Sequence, residues 1–229
     1  MPLDTNLIES AYAAATQSTL DVWQDHADAG AVCSYPDDTA KLCVTSGCLF
    51  AQTGALADLH AGLTALAEVD ARLDVVPASS MHFTFLAVSW GLFDAPSQAP
   101  AADELWAHFA AHVTDVRFVI SRLRIVPLKN ALILAGIPDP FTFGARQALA
   151  QVLLESRWQA HIEARYKGYS IPPLFWHTTL ARANTEFAPL GLRDLFWAYR
   201  TRTFDDLRLG RPLLMLANYN WTRRFVYSR

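Results

Sequence analysis

Residues Phe175 to Arg182 read FWHTTLAR, and residues Met81 to Trp90 read MHFTFLAVSW. Both runs are short, aromatic and apolar, and the second stops at Gly91. Such runs bounded by turn residues predict strands. In a strand, residues two apart face the same side, roughly 6.5–7 Å apart. His177 and Thr179 therefore share one face, opposite Trp176 and Thr178. His82 and Thr84 share a face in the same way, opposite Phe83 and Phe85. The chain thus carries two His-x-Thr pairs on strands, 95 residues apart.

Outward from these two strands the pattern alternates between helix and strand. Residues 4–28 have apolar positions at helical spacing, with Asp4 as a cap. Turn signals fill 30–45, including Ser34-Tyr35-Pro36-Asp37-Asp38. Gly47 to Gln52 predicts a strand and Leu56 to Val69 a helix. Ala101 to Val113 predicts a helix, Arg117 to Val126 and Ala131 to Ile137 a strand pair, and Phe143 to Ile162 one long helix. After the second His-x-Thr strand come a helix at Leu190 to Ala198, a strand pair at Thr203–Leu209 and Leu213–Tyr219, and a last edge strand in Trp221–Tyr227. The order strand with His-x-Thr, helix, strand, turn, strand thus occurs twice, as a pattern of elements. It predicts an α+β chain of two related lobes, each an antiparallel sheet covered by helices.

Composition bounds the function. Hydrophobic residues make up 52% of the 229 and charged residues 18%, so a sizeable core can form. No apolar run reaches the roughly 18–20 residues of a spanning helix. MPLDTNLIES lacks the regions of a secretory signal. The expectation is a soluble, cytoplasmic protein. Residues 1–76 carry a balance of −9 and residues 77–229 a balance of +6. That falls short of the basic surface of a duplex binder. A small nucleotide or a single-stranded RNA end is the expected partner, with neither duplex DNA nor membrane, and the oligomeric state stays open. Cys33, Cys43 and Cys48 are odd in number and lack zinc spacing, so they predict small buried residues. His108 and His112, at i and i+4 on a helix, have no third ligand in view. Arg122, Arg124 and Lys129 form either a basic rim or a solvated face. No Gly-rich phosphate loop is present.

Two imidazoles and two hydroxyls suit one chemistry in particular. A neutral imidazole takes a proton from water or a hydroxyl while an imidazolium gives one to the leaving oxygen, as an ordinary pKa near 6.5 allows. Threonine hydroxyls can donate to the non-bridging oxygens of a phosphate. In-line displacement needs the two histidines on opposite sides of phosphorus, which two motifs from two lobes supply.

HFTFL and HTTLAR resemble the paired His-x-Thr signatures of the 2H phosphoesterase superfamily, which includes LigT-like 2′–5′ RNA ligases and cyclic phosphodiesterases. The second match is the closer, a hydrophobic residue followed by His-x-Thr-Leu-x-Arg. The resemblance covers roughly residues 45–229, with 1–45 as an N-terminal helical extension and 46–229 as the bilobal domain. It implies a pseudo-twofold fold with a metal-free site in the cleft and no cofactor. It makes His82 and His177 the acid/base pair, Thr84 and Thr179 phosphate clamps, and Arg182 the signature's last residue. By strand parity Arg182 points away unless the strand ends or bulges, so a phosphate ligand and a surface charge both stand. Tyr166, Lys167 and Tyr169 lie in the loop before the second motif, as substrate contacts or as ordinary loop. Phe175 shares the parity of His177, as pocket wall or as core. The expected function is a metal-independent hydrolase of 2′,3′-cyclic or 2′-linked phosphodiesters. The alternatives are a nucleotide-binding module without turnover and a 2′–5′ RNA end-joining enzyme. Which histidine is acid and which is base stays open.

Overall fold

The computed structural model describes residues 3–33, 39–100, 103–113 and 117–227. Among these residues six α-helices and nine strands follow in the order α1 (Thr5–Asp25), β1 (Cys43–Leu49), α2 (Gly54–Val69), β2 (Leu73–Val75), β3 (His82–Ala87), α3 (Asp103–Val113), β4 (Val119–Leu128), β5 (Ala131–Pro138), α4 (Pro140–Leu154), α5 (Gln159–Arg165), β6 (His177–Ala183), α6 (Leu190–Tyr199), β7 (Leu207–Arg208), β8 (Leu213–Ala217) and β9 (Arg224–Val226). The strands form two sheets, β3-β1-β8-β9 and β2-β6-β5-β4-β7. Every ladder in them is antiparallel. This is the α+β architecture of two helix-covered sheets.

The two halves of the repeated element order do not each build their own sheet. The β4–β5 hairpin follows the first motif strand, yet it pairs with β6, the second motif strand. β8 follows the second motif, yet it pairs with β1, the partner of the first motif strand β3. β6 is thus seated between strands of the first half, while β3 belongs to a sheet that strands of the second half complete. One hydrophobic core includes Val44, Phe83 and Leu216 from the first sheet and Leu132, Ile133 and Leu180 from the second. The ladder between β2 and β6 spans only Ala181, Arg182 and Ala183 of β6. The His177–Thr179 part of β6 therefore pairs with β5 alone among the described ladders.

The chain segment before residue 45 belongs to this core, and the expected boundary at 45 falls inside β1. The Asp4 carboxylate accepts from the Leu7 N–H and starts α1. The helix buries Ile8, Tyr12, Thr19 and Trp23. The Tyr12 hydroxyl donates to the Gly136 carbonyl at 2.8 Å and accepts from the Trp176 N–H at 2.9 Å. It thereby pins the residue just before His177 to β5. The expected turn at Ser34–Asp38 and the expected helix start at Ala101 lie outside the described residues.

The single helix expected over Phe143–Ile162 is two helices. Ser156 breaks it: its hydroxyl accepts from the Trp158 N–H, and the turn sends Trp158 into the core. The all-apolar run ALILAGIP is β5, central in its sheet and buried at every residue. β2, three residues long, is too short to leave a period, and sequence reading gave no strand there.

Replacing Tyr12 with phenylalanine should leave the Trp176 N–H buried without its partner. The expected cost is about 1–3 kcal/mol, measured as a lower urea midpoint with an unchanged slope.

Candidate active site

Both motif strands carry a bulge at the same step. In β3, Thr84 lies opposite Gly47 and Leu86 opposite Ser46, so Phe85 is an extra residue. In β6, Thr179 lies opposite Ile133 and Ala181 opposite Leu132, so Leu180 is extra. One inserted residue reverses the parity of everything after it. Ala87 therefore returns to the face of Thr84, and Arg182 to the face of Thr179. Regular parity would have turned Arg182 away. The bulge instead sets its Nη2 3.3 Å from the Thr179 hydroxyl. Its guanidinium also sits 5.5 Å from the centre of the Tyr219 ring, while the Tyr219 hydroxyl donates to Asp74, opposite Arg182 in the ladder.

The two faces meet in one cavity of about 160 Å³, lined by His82, Thr84, His177, Thr179 and Arg182. The structure thus brings both His-x-Thr pairs and the arginine together. Lys41, Arg146, Arg165 and Arg182 line this cavity, and among the described residues no aspartate or glutamate does.

The two histidines are held differently. His82 is 5% exposed, and its Nδ1–H donates to the Ser80 carbonyl at 2.8 Å. That bond fixes the tautomer and leaves Nε2 as its remaining basic atom. The indole of Trp221 lies on the imidazole at 3.9 Å and 5°. Trp221 has a φ of 58° in the turn before β9, and Gly47 makes room for it. A Cβ on Gly47 would come within 2.2 Å of the Phe83 carbonyl and 3.0 Å of the Trp221 ring. His177 is half-buried, and its Nδ1 is buried without a hydrogen-bond partner. Packing alone holds its ring, with Phe175 edge-on at 6.3 Å.

Burial pushes the pKa of His82 down to about 3, with the charges of His177, Arg182 and Arg224 adding to it and the Ser80 bond opposing it. Burial, then Arg182, Arg146 and Arg165, pushes His177 down to about 4. Both imidazoles are therefore neutral in the free cleft at pH 7. Arg146, 2% exposed on α4, stacks on Trp176 at 3.5 Å and donates to the carbonyls of Phe175 and Pro173. It braces the segment that leads into His177 while adding positive charge beside it.

The other expected contacts divide. Tyr166 lines the cleft, its hydroxyl accepting from the Ala87 N–H at 3.2 Å, and Phe175 lines it while also packing on Tyr12. Lys167 and Tyr169 do not line it. The chain turns outward after α5, with the Tyr169 N–H bonded back to the Tyr166 carbonyl, and both side chains are exposed, Tyr169 at 79%. Arg122 and Arg124 pair with Glu9, and Lys129 with Glu186, away from the cleft. Sequence reading missed Trp221, Tyr219, Arg146, Arg165, Trp90 and Lys41. None stands next to a histidine in the chain, and only the fold collects them.

The depressed histidines make stability depend on pH. An unfolded histidine titrates near 6.5, so below that pH the unfolded chain takes up protons that the folded one refuses. The stability held above pH 6.5 should fall progressively as pH drops toward 4 and 3. Proton NMR should give the His82 and His177 ring signals midpoints below pH 5. The His82→Gln and His177→Gln variants should each flatten the acid limb of the urea-midpoint curve, and an unchanged limb would refute the assignment.

No protein-family model matches the chain, and no curated protein matches it. The solved structures that match it include two of low identity. The protein TT0787 of Thermus thermophilus is 13% identical over 81% of this chain and 95% of that one, with a TM-score of 0.43. The conserved protein of unknown function ATU0111 from Agrobacterium tumefaciens is 12% identical over 83% of this chain and 88% of that one, with a TM-score of 0.45. Neither likeness bears on the chemistry of the cleft.

Proposed function

We propose that this cleft hydrolyses 2′,3′-cyclic or 2′-linked phosphodiesters, on RNA ends or small nucleotides, by two-histidine general acid/base catalysis in the manner of the 2H phosphoesterase superfamily. The observation that carries the reading is the meeting of two His-x-Thr pairs from two sheets in a single cavity with cations and no carboxylate among its described lining. The phosphate sits between the imidazoles. The Thr84 and Thr179 hydroxyls donate to its non-bridging oxygens, and Arg182 adds its charge beside Thr179. One imidazole takes a proton from the attacking water as the new P–O bond forms. The other, protonated, gives its proton to the sugar oxygen as the old P–O bond breaks. The product is a phosphate monoester, and the two histidines exchange roles when the reaction runs backward.

A bound phosphate also changes the protonation. Burial, and after it the neighbouring positive charges, disfavours the charged form of both rings in the free cleft. A phosphate anion offsets Arg182 and its neighbours, so the imidazolium needed as acid becomes accessible near neutral pH. The second reading, nucleotide binding without turnover, is favoured by that same neutrality of both rings in the free state.

Turnover of adenosine 2′,3′-cyclic phosphate in the presence of a chelator separates the two. The expected result is hydrolysis to a monoester, lowered roughly 10²–10⁴-fold in His82→Ala and in His177→Ala. Thr179→Val should cost about 10²–10³-fold if its hydroxyl meets the developing charge. Binding with no turnover by the wild-type chain assigns the binding module instead. Turnover undiminished in both histidine variants removes them from the chemistry.

A further inference from the structure

One phosphate between the imidazoles does not use all the charge in the cleft. Arg182 and the two threonines serve that phosphate, and Arg146 directs donors to the Phe175 and Pro173 carbonyls. Lys41 and Arg165 remain. Both line the same cavity, and among the described residues neither has a carboxylate within ion-pair distance. Arg165 closes α5, and its guanidinium lies over the indole of Trp90 at 3.9 Å. The Trp90 Nε1–H donates to the Ala164 carbonyl at 2.9 Å, which ties the indole to the helix that carries Arg165. Trp90 is 37% exposed, so this pair stands at the mouth of the cleft. Lys41 reaches the same end, because Leu42 bridges to Phe93 and the Leu92 N–H returns to the Leu42 carbonyl. This end lies past Ala87, opposite Thr45, whereas His82 lies opposite Leu49.

A guanidinium held flat on an indole keeps its edge donors in one plane, the arrangement that suits paired hydrogen bonds to an oxyanion. An ammonium lining the same cavity supplies a second, more mobile positive charge. Two like charges facing one cavity without a counterion repel each other, and an anion of charge near −2 relieves both. A phosphate monoester is that anion, whereas the phosphodiester between the histidines carries only one charge.

We propose that Lys41 and Arg165 form a second anion subsite, which takes a phosphate on the 5′ side of the nucleoside whose 2′ or 3′ phosphate lies between the histidines. The inference rests on the phosphodiester reading of the cleft and adds to it the substrate's second charged group. Trp90 acts as a positioning residue that holds the plane of Arg165.

The test is binding of two product-like nucleotides to the full chain by calorimetry, because binding needs no turnover. Adenosine 2′,5′-bisphosphate should bind roughly ten- to a hundredfold more tightly than adenosine 2′-monophosphate, the range expected of added charge-assisted hydrogen bonds. In the Lys41→Met/Arg165→Met double variant that ratio should fall to near one, and Arg165→Lys should keep part of it. A wild-type ratio near one overturns the subsite. A ratio that survives the double variant also overturns it, since the second phosphate then lands elsewhere. Should the double variant fail to fold, the wild-type ratio and the Lys41→Met single variant decide the matter. A dinucleotide ending in adenosine 2′-monophosphate separates two sources of the same chemistry. Tighter binding than the bisphosphate assigns the diester of an RNA end, and weaker binding assigns the terminal phosphate of a mononucleotide. Loss of the phosphodiesterase reading has a different signature: adenosine 2′,3′-cyclic phosphate is not turned over while the affinity ratio persists.

Discussion

The extra residue after each threonine, Phe85 in β3 and Leu180 in β6, governs what the cleft contains. Without it, side chains at alternate positions would continue along each face, and the residue three beyond the threonine would point away. With it, Ala87 and Arg182 rejoin the faces of Thr84 and Thr179. Phe85 and Leu180 are themselves buried, on the side that regular alternation already gives them. A regular ladder would turn Leu86 toward the face of Thr84 in β3 and Arg182 away from the face of Thr179 in β6.

The symmetry of the bulges makes the asymmetry of the side chains informative. At the fifth position after His177 stands Arg182; at the fifth after His82 stands Ala87, whose N–H instead meets the Tyr166 hydroxyl. His82 is fixed by a carbonyl and an indole, and His177 by packing alone. One half thus supplies a rigid, tautomerically fixed imidazole. The other supplies an adaptable ring next to the arginine. Two nearly equal strands thus supply two unlike halves of one cleft.

The parts of this arrangement that repeat every two residues were readable from the sequence. His82 with Thr84 and His177 with Thr179 follow from strand parity, and ALILAGIP declares a buried strand by its unbroken apolar run. The exchange of strands between the halves was not readable, because nothing local says whether β4–β5 pairs with β3 or with β6. Arg182 needed a bulge that no glycine or proline marks in HTTLAR. Trp221 needed a turn whose use depends on Gly47, 174 residues earlier. Lys167 and Tyr169 look like their neighbour Tyr166, yet a single turn after α5 separates them from it. What sequence lost was always a matter of which distant backbone lies alongside.

Stability and charge in the cleft work against each other. The ring of His82 is buried, the His177 Nδ1 and the Arg146 Nε are buried without partners, and several cations face one cavity with no carboxylate among its described lining. Each of these groups raises the free energy of the folded state. The surrounding frame offsets that cost at the points nearest the site. Tyr12 holds Trp176, Arg146 holds Phe175 and Pro173 through their carbonyls, and Trp221 covers His82. An anion entering the cleft would remove part of the cost, because it would meet the cations and supply acceptors to the donors left over. Binding energy that relieves an unfavourable native charge arrangement is available only to an anion of the right shape. The features that make the empty cleft costly are for that reason the ones that make it selective.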